Sequence, residues 1–189
     1  MKLTVVIGPM FAGKSTFIIN KVEELKESYL AIKPLIDNRY SKDEIVSHDK
    51  KKIDAITVTN LFDYINDNEI NCYDNIFIDE AQFFNDIQET IEFLEYNYNG
   101  NIYVCGLNAD FKRKPIGYIN AILSKADDII FLKGQCFNCP ESSSFSLKIT
   151  CDDSQIDVGG EDKYRPVCGK CYQHFSKKIS SHEFLEASQ

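Results

Sequence analysis

Apolar residues along this chain follow two rhythms that alternate. Short runs occupy residues 3–7 (Leu-Thr-Val-Val-Ile), 29–33, 75–78, 101–106 and 128–132, and they read as strands of one sheet, those at 3–7 and 101–106 as buried ones. Pro34 ends the second of these. Residues 53–58 predict a further strand. Between the runs, apolar residues recur at helical spacing. Ile18, Val22 and Leu25 mark a helix over 15–28, and Leu61, Phe62 and Ile65 mark one capped by Thr59 or Asn60. Ile87, Ile91 and Leu94, after Phe83-Phe84, mark another that closes at Asn99-Gly100, and residues 116–126 read as a fourth. Strand and helix in alternation predict an α/β fold with a mostly parallel sheet. From Lys133 the rhythm changes: Phe145-Ser146-Leu147-Lys148-Ile149 alternates like a hairpin strand between two cysteine pairs. The pattern divides the chain into an α/β domain over 1–133, a small domain over 134–176 and a polar tail over 177–189.

Composition narrows the class. The 189 residues are 43% hydrophobic and 26% charged, ordinary for a globular protein with one full core. A net charge of −8 opposes general affinity for nucleic acid, which needs basic surface. No apolar run approaches the ~20 residues of a membrane span. Met1-Lys2 leads directly into the first strand, so no signal peptide is expected. An odd count of 7 cysteines then points to a reducing, cytoplasmic compartment rather than a disulfide framework.

The candidate chemistry starts at Gly8-Pro9-Met10-Phe11-Ala12-Gly13-Lys14-Ser15, which fills G-x-x-x-x-G-K-[ST] between a predicted strand and a predicted helix. Glycines there permit the turn and the close approach of backbone to phosphate. The amides of residues 11–15 then face an anion at the positive end of a helix dipole. Lys14 would reach the β- and γ-phosphates, and the Ser15 hydroxyl would hold Mg²⁺. A chance match in a glycine-containing turn is the alternative. The second signal is Asn75-Ile76-Phe77-Ile78-Asp79-Glu80, an apolar strand ending in two carboxylates where open α/β sheets bind ligands. Asp79 would share the Mg²⁺ with Ser15, and Glu80 is placed to take a proton from an attacking hydroxyl or water. The competing role for Glu80 is to cap the helix that starts near Phe84.

Cys136-x-x-Cys139 and Cys168-x-x-Cys171 fit a four-thiolate zinc ribbon, with a long loop between them. A redox role is less consistent with two pairs together; His174 is a substitute ligand that four cysteines make unnecessary. No residue pattern supplies an open coordination position, so the metal is expected to be structural. The loop 107–115 holds Lys112-Arg113-Lys114 between Phe111 and Pro115, and in so acidic a chain it is expected to face phosphate. Phe111 is either core or a stacking surface for a ring. Asp37-Asn38-Arg39-Tyr40-Ser41 and Lys50-Lys51-Lys52 read, on composition alone, as solvated segments.

Together these motifs closely resemble the type II thymidine kinases, the family of animal cells, poxviruses and many bacteria. The matching stretches are residues 8–15, Asp37-Asn-Arg-Tyr40 with Ser47-His48-Asp49, Asp79-Glu-Ala-Gln-Phe-Phe84, 107–115, both cysteine pairs and Val158-Gly-Gly-Glu-Asp-Lys-Tyr164. They span residues 2–173 in the family's order. Ala12 replaces a usual Ser, Ala81 a usual Gly, and Asn108-Ala109-Asp110 differs from animal members. The resemblance implies a P-loop domain joined to a zinc-ribbon domain with a lasso loop. It also implies phosphorylation of thymidine and deoxyuridine at the 5′-hydroxyl by Mg-ATP, a homotetramer, and dTTP as a feedback inhibitor. By position, Glu80 becomes the general base, and residues 8–15 with Asp37, Arg39, Asp79 and Gln82 form the ATP side. Met10, Leu107, Phe111 and Tyr164 wall the thymine, and Ile156, Asp157, Val158, Gly159 and Gly160 hold its edges through backbone groups. The rival class is a P-loop ATPase whose zinc ribbon handles nucleic acid; a third is a non-catalytic nucleotide-binding protein.

Overall fold

The computed structural model describes residues 1–37, 43–47 and 49–180. In chain order the elements are β1 (Lys2–Gly8), α1 (Lys14–Leu25), β2 (Tyr29–Pro34), β3 (Glu44–Val46), β4 (Lys52–Asp54), β5 (Ile56–Val58), α2 (Leu61–Asp67) and β6 (Asn75–Ile78). There follow α3 (Ile87–Asn97), β7 (Asn101–Leu107), β8 (Asp128–Phe131), β9 (Gly134–Gln135), β10 (Ser142–Ser143), β11 (Phe145–Lys148), β12 (Tyr164–Val167) and α4 (Gly169–Ser180).

Six strands form one parallel sheet in the order β5-β2-β6-β7-β1-β8. Its inner strands β2, β6, β7 and β1 carry apolar side chains on both faces because both faces are covered, whereas the edge strand β8 is largely exposed. Ile65, Ile87, Ile91 and Leu94 pack on one face with Leu3, Ile76 and Val104, while Ile18 and Ile19 of α1 pack on the other with Val6, Phe77 and Cys105. Asn60 caps α2 as its sequence suggests, its side-chain oxygen accepting the Asp63 amide at 2.7 Å. Parallel register brings the carboxyl ends of the strands level: Gly8 lies opposite Leu107, and Ile78 opposite Ile32 and Val104.

Three expectations change. Residues 53–58 are not one strand. Ala55 is buried with its amide on the Asp43 carbonyl at 2.9 Å, so β4 pairs antiparallel with β3 while β5 joins the main sheet. Residues 116–126 form no α-helix but a 3₁₀ helix over Ile119–Lys125. Gly117, at φ 54°, turns the chain against the Gln82 carbonyl, and Ile119 and Ile122 are both fully buried at the three-residue period of that helix. Finally, α4 continues through residues 177–180, into the expected tail; residues 181–189 lie outside the described residues.

Gly8 shows how tightly the sheet end is built. A Cβ there would sit 2.5 Å from the Leu132 carbonyl oxygen. Gly8→Ala is therefore expected to lower the melting temperature by about 5 °C or more, which thermal denaturation would read; an unchanged midpoint would mean the strand end can shift.

Candidate active site

The phosphate loop hangs between Gly8, held close to Leu132, and Gly13, whose φ of 84° lets the chain enter α1. Phe11 at its tip also has a positive φ, 63°, and is 37% exposed. Lys14 opens α1, is buried, and places its ammonium on the loop's own carbonyls, 2.8 Å from Pro9 O and 3.3 Å from Gly8 O. An anion in the loop would compete for that charge.

One residue further, the Ser15 hydroxyl donates to Asp79 Oδ2 at 2.9 Å, joining α1 to the end of β6. Burial, then the neighbouring Glu80 charge, push the Asp79 carboxyl up to about 6; the Ser15 hydroxyl, the Glu80 amide and Lys14 act the other way. A half-buried hydroxyl beside a buried carboxylate, both offering oxygen ligands, suits a hard divalent cation such as Mg²⁺. Glu80 itself is nearly buried and held in a left-handed conformation, φ 48°, its amide on Asp79 Oδ1 at 2.9 Å. A non-glycine residue kept there is a strained arrangement typical of functional sites. Its carboxylate accepts a 2.6 Å bond from Gln82 Nε2, while Gln82 Oε1 accepts the Leu107 amide at 3.0 Å. Gln82 thus ties Glu80 to the end of β7, and a Cβ on Gly106 would strike its Oε1 at 2.7 Å. The capping role does not hold. The Glu80 side chain makes no capping bond at the short turn Ala81–Phe83, where its carboxylate is bonded by the Gln82 side chain instead, and α3 starts only at Ile87.

A cleft of about 380 Å³ runs from these groups to the small C-terminal unit. Of the expected ATP-side residues, Met10, Phe11, Gly13, Lys14, Ser15, Asp37, Asp79 and Gln82 line it, with Glu80. Gly8, Pro9 and Ala12 do not line it, and Gly8 and Pro9 are buried. Arg39 lies outside the described residues, as does His48. At the far end Leu107, Phe111, Ile156, Asp157, Val158, Gly159 and Tyr164 line the same cleft. Gly160 is set back from it: its amide is taken by Asp162 Oδ1 at 2.9 Å and its carbonyl accepts the Lys163 and Tyr164 amides. Ile156 faces the cleft while 54% exposed.

The four expected zinc ligands come together. The donor atoms of Cys136, Cys139, Cys168 and Cys171 all lie within 4.8 Å of one another. Cys139 Sγ is 3.7 Å from Cys168 Sγ and 3.6 Å from Cys171 Sγ. A tetrahedron with the usual Zn–S bond of ~2.3 Å has edges of about 3.8 Å, so the thiols fit that ion. Leu147, Val167 and Tyr172 pack around them.

The basic loop does not face phosphate. Arg113 stacks over Tyr172, 4.6 Å from the ring centroid, and over Phe145 at 5.5 Å, while Lys112 pairs with Asp153 at 2.7 Å. None of residues 112–114 lines the cleft. The loop is shaped by Asp110, whose Oδ1 accepts the Lys112 and Lys114 amides at 2.8 Å and whose Oδ2 accepts Gln155 Nε2 at 2.8 Å. Its charges therefore dock the C-terminal unit. Several groups escaped sequence reasoning. Ser146 accepts the Met10 amide at 3.0 Å, Tyr172 donates to the Phe111 carbonyl at 2.6 Å, and Lys33 lines the cleft while 3% exposed. The signal for Ser146 lay in the hairpin's alternation: Phe145, Leu147 and Ile149 face the cysteine cluster, so Ser146 and Lys148 take the opposite side, yet both are buried.

A parallel sheet covered on both faces, a phosphate loop at the end of β1 and a carboxylate pair across β7 from it define a P-loop type of α/β protein. Comparison with known proteins carries this further. The family model described as thymidine kinase matches residues 1–172. A thymidine kinase of Pseudothermotoga lettingae is 34% identical over 185 residues, covering 94% of this chain and 97% of the relative. One of Yaba monkey tumor virus is 39% identical, covering 89% and 92%, and thymidine kinase a of Arabidopsis thaliana is 32% identical, covering 98% and 78%. The chain belongs to the thymidine kinase family.

Proposed function

We propose that this protein transfers the γ-phosphoryl group of Mg-ATP to the 5′-hydroxyl of thymidine and of deoxyuridine, supplying 5′-monophosphates for DNA synthesis by salvage. The observation that carries this is the shared cleft: the phosphate loop and Glu80 line one end, and Phe111, Tyr164 and Ile156–Gly159 line the other. Donor and acceptor therefore meet in one cavity of a size suited to small ligands.

In this reading Lys14 leaves the loop carbonyls for the phosphates, and the amides of the loop hold their oxygens. Mg²⁺, held by Ser15 and Asp79, neutralises phosphate charge when bound. Glu80 takes the proton of the 5′-hydroxyl as that oxygen bonds to the γ-phosphorus and the bridging β–γ oxygen–phosphorus bond breaks, leaving ADP. Gln82 fixes the Glu80 carboxylate for that transfer. Asp37 and Arg39 complete the phosphate side, with Arg39 offsetting charge on the transferred group. Met10, Leu107, Phe111 and Tyr164 wall the base, and the backbone of residues 156–160 reads its edges. A structural Zn²⁺ on the four cysteines anchors the feet of this lasso. We assign residues 1–133 to nucleotide binding and 134–176 to zinc and nucleoside. The same reading includes a cytoplasmic homotetramer inhibited by dTTP, with no nucleic-acid or membrane partner. No helix among the described residues is long and apolar enough to cross a membrane.

Incubation with Mg-ATP and a panel of nucleosides tests this. Thymidine and deoxyuridine should yield 5′-monophosphates, and purine nucleosides should not. Failure to phosphorylate either pyrimidine would overturn the substrate assignment, and stimulation by nucleic acid instead would favour the ATPase.

The bond from Tyr172 to Phe111 yields a narrower expectation. A hydrogen bond contributes about 1 kcal/mol, so Tyr172→Phe should raise the thymidine KM by about fivefold with zinc retained. Equal change in the ATP KM would show that the bond supports the fold generally rather than the Phe111 wall.

A further inference from the structure

Lys148 is a charged side chain where none is expected, at the end of β11 and 2% exposed. It is not in the cleft wall but behind it. Its ammonium lies 2.8 Å from Asp157 Oδ2, 3.4 Å from Asp152 Oδ2 and 3.3 Å from the Ser154 carbonyl. It also stands 5.0 Å from the ring centroid of Phe111 and 5.9 Å from that of Tyr164. Asp157 is gripped in turn from the other side: Lys163 pairs with its Oδ1 and donates to the Val158 carbonyl at 3.0 Å, and the Tyr164 hydroxyl donates to the Asp157 carbonyl at 2.9 Å. Lys148, then Lys163, hold the Asp157 carboxyl below its ordinary range.

We propose that Lys148 is a positioning residue for the nucleoside: its buried ammonium fixes Asp157, and with it the loop 154–159 and the rings of Phe111 and Tyr164. The proposal rests on the reading that this loop covers the nucleoside. The loop needs such a hold. Residues 151–156 are exposed and carry no regular structure, so few apolar contacts fix them. A buried ammonium cannot stay unpaired, because desolvation penalises a lone charge far more than a surface one. Sequestered, it attracts the carboxylate in low dielectric and the two aromatic faces at once. One cation thereby sets three parts of the base-facing wall from behind. Surface pairs such as Lys2 with Asp128, both more than half exposed, have no comparable hold on the chain.

Lys148→Met keeps length and volume and removes the charge. It should raise the thymidine KM at least tenfold, with kcat and the ATP KM within about threefold and zinc content unchanged. Asp157→Asn should give the same split, and the double variant should cost less than the product of the two, as expected for partners. Lys148→Arg should recover part of the loss. If Lys148→Met does not fold, Asp157→Asn carries the test through the same split. Amide hydrogen exchange over residues 152–160 separates the two levels. Thymidine should slow exchange in the wild type and much less in Lys148→Met. No slowing in the wild type would overturn the loop reading, and the Lys148 role with it. Equal slowing in both, with an unchanged thymidine KM, would overturn the Lys148 role alone, as would equal rises in the KM of both substrates.

Discussion

Glu80→Gln is expected to lower thymidine turnover by about 10²-fold or more, with ATP and thymidine bound within about threefold of wild type. The substitution is close to isosteric. Gln tolerates the left-handed backbone at φ 48° no worse than Glu, and its side-chain oxygen can still accept the Gln82 amide that now lies 2.6 Å from Glu80 Oε2. What it lacks is a site for the proton of the 5′-hydroxyl. The loss should therefore appear in the chemical step of a single-turnover experiment, while titration calorimetry should find both substrates bound. Turnover close to wild type would reject Glu80 as the base. Weakened binding of ATP would instead assign the Glu80 carboxylate to holding the phosphate side together, through its charge beside Asp79.

Loss of the metal should act at the other end of the cleft. Cys168→Ser is expected to raise the thymidine KM by at least tenfold while the ATP KM moves by less than about threefold. Cys168 directly follows β12, which with β11 forms the two feet of the loop 149–163. Cys171 directly precedes Tyr172, whose hydroxyl fixes the Phe111 carbonyl. Loosening the cluster therefore frees the loop and the Phe111 wall together. A structural zinc on these four thiols would supply much of the folding free energy of the small unit around it. Among the described residues the phosphate loop meets the small unit through the Met10 amide on Ser146 and the Phe11 carbonyl close to Gly134, while its own position is fixed by β1 and α1. Comparable losses for both substrates would mean that the cysteine cluster supports the whole fold rather than the nucleoside end.

The residues legible in the sequence share one property: their chemistry is encoded by local spacing. The phosphate loop, the Asp79-Glu80 pair and the cysteine pairs each need particular residue types within a few positions of one another, between elements whose periodicity is plain. The parallel sheet was legible for the same reason, since runs buried on both faces lack alternation. What could not be read depends on contacts distant in sequence. Lys112-Arg113-Lys114 looked like a phosphate-facing cluster because charge alone was visible. Its direction is set by Asp110 folding the loop and by the rings of Phe145 and Tyr172. Lys148 occupies a polar position of an alternating strand, and alternation alone does not fix which way that face turns. Only the antiparallel return of β12 and the loop beyond it turn that polar face inward. Ala55 breaks a run whose composition is that of one strand, because a neighbouring carbonyl captures its amide. Gly117 was visible, but not that the Gln82 carbonyl would press against it and shorten the helix that follows.

The most direct measurement is ADP release by the wild-type protein supplied with Mg-ATP, with and without thymidine, alongside the yield of thymidine 5′-monophosphate. One ADP should appear for each monophosphate formed, and almost none when thymidine is withheld. ADP released at a similar rate without thymidine would contradict a cleft that joins donor to acceptor, and would make the protein an ATPase.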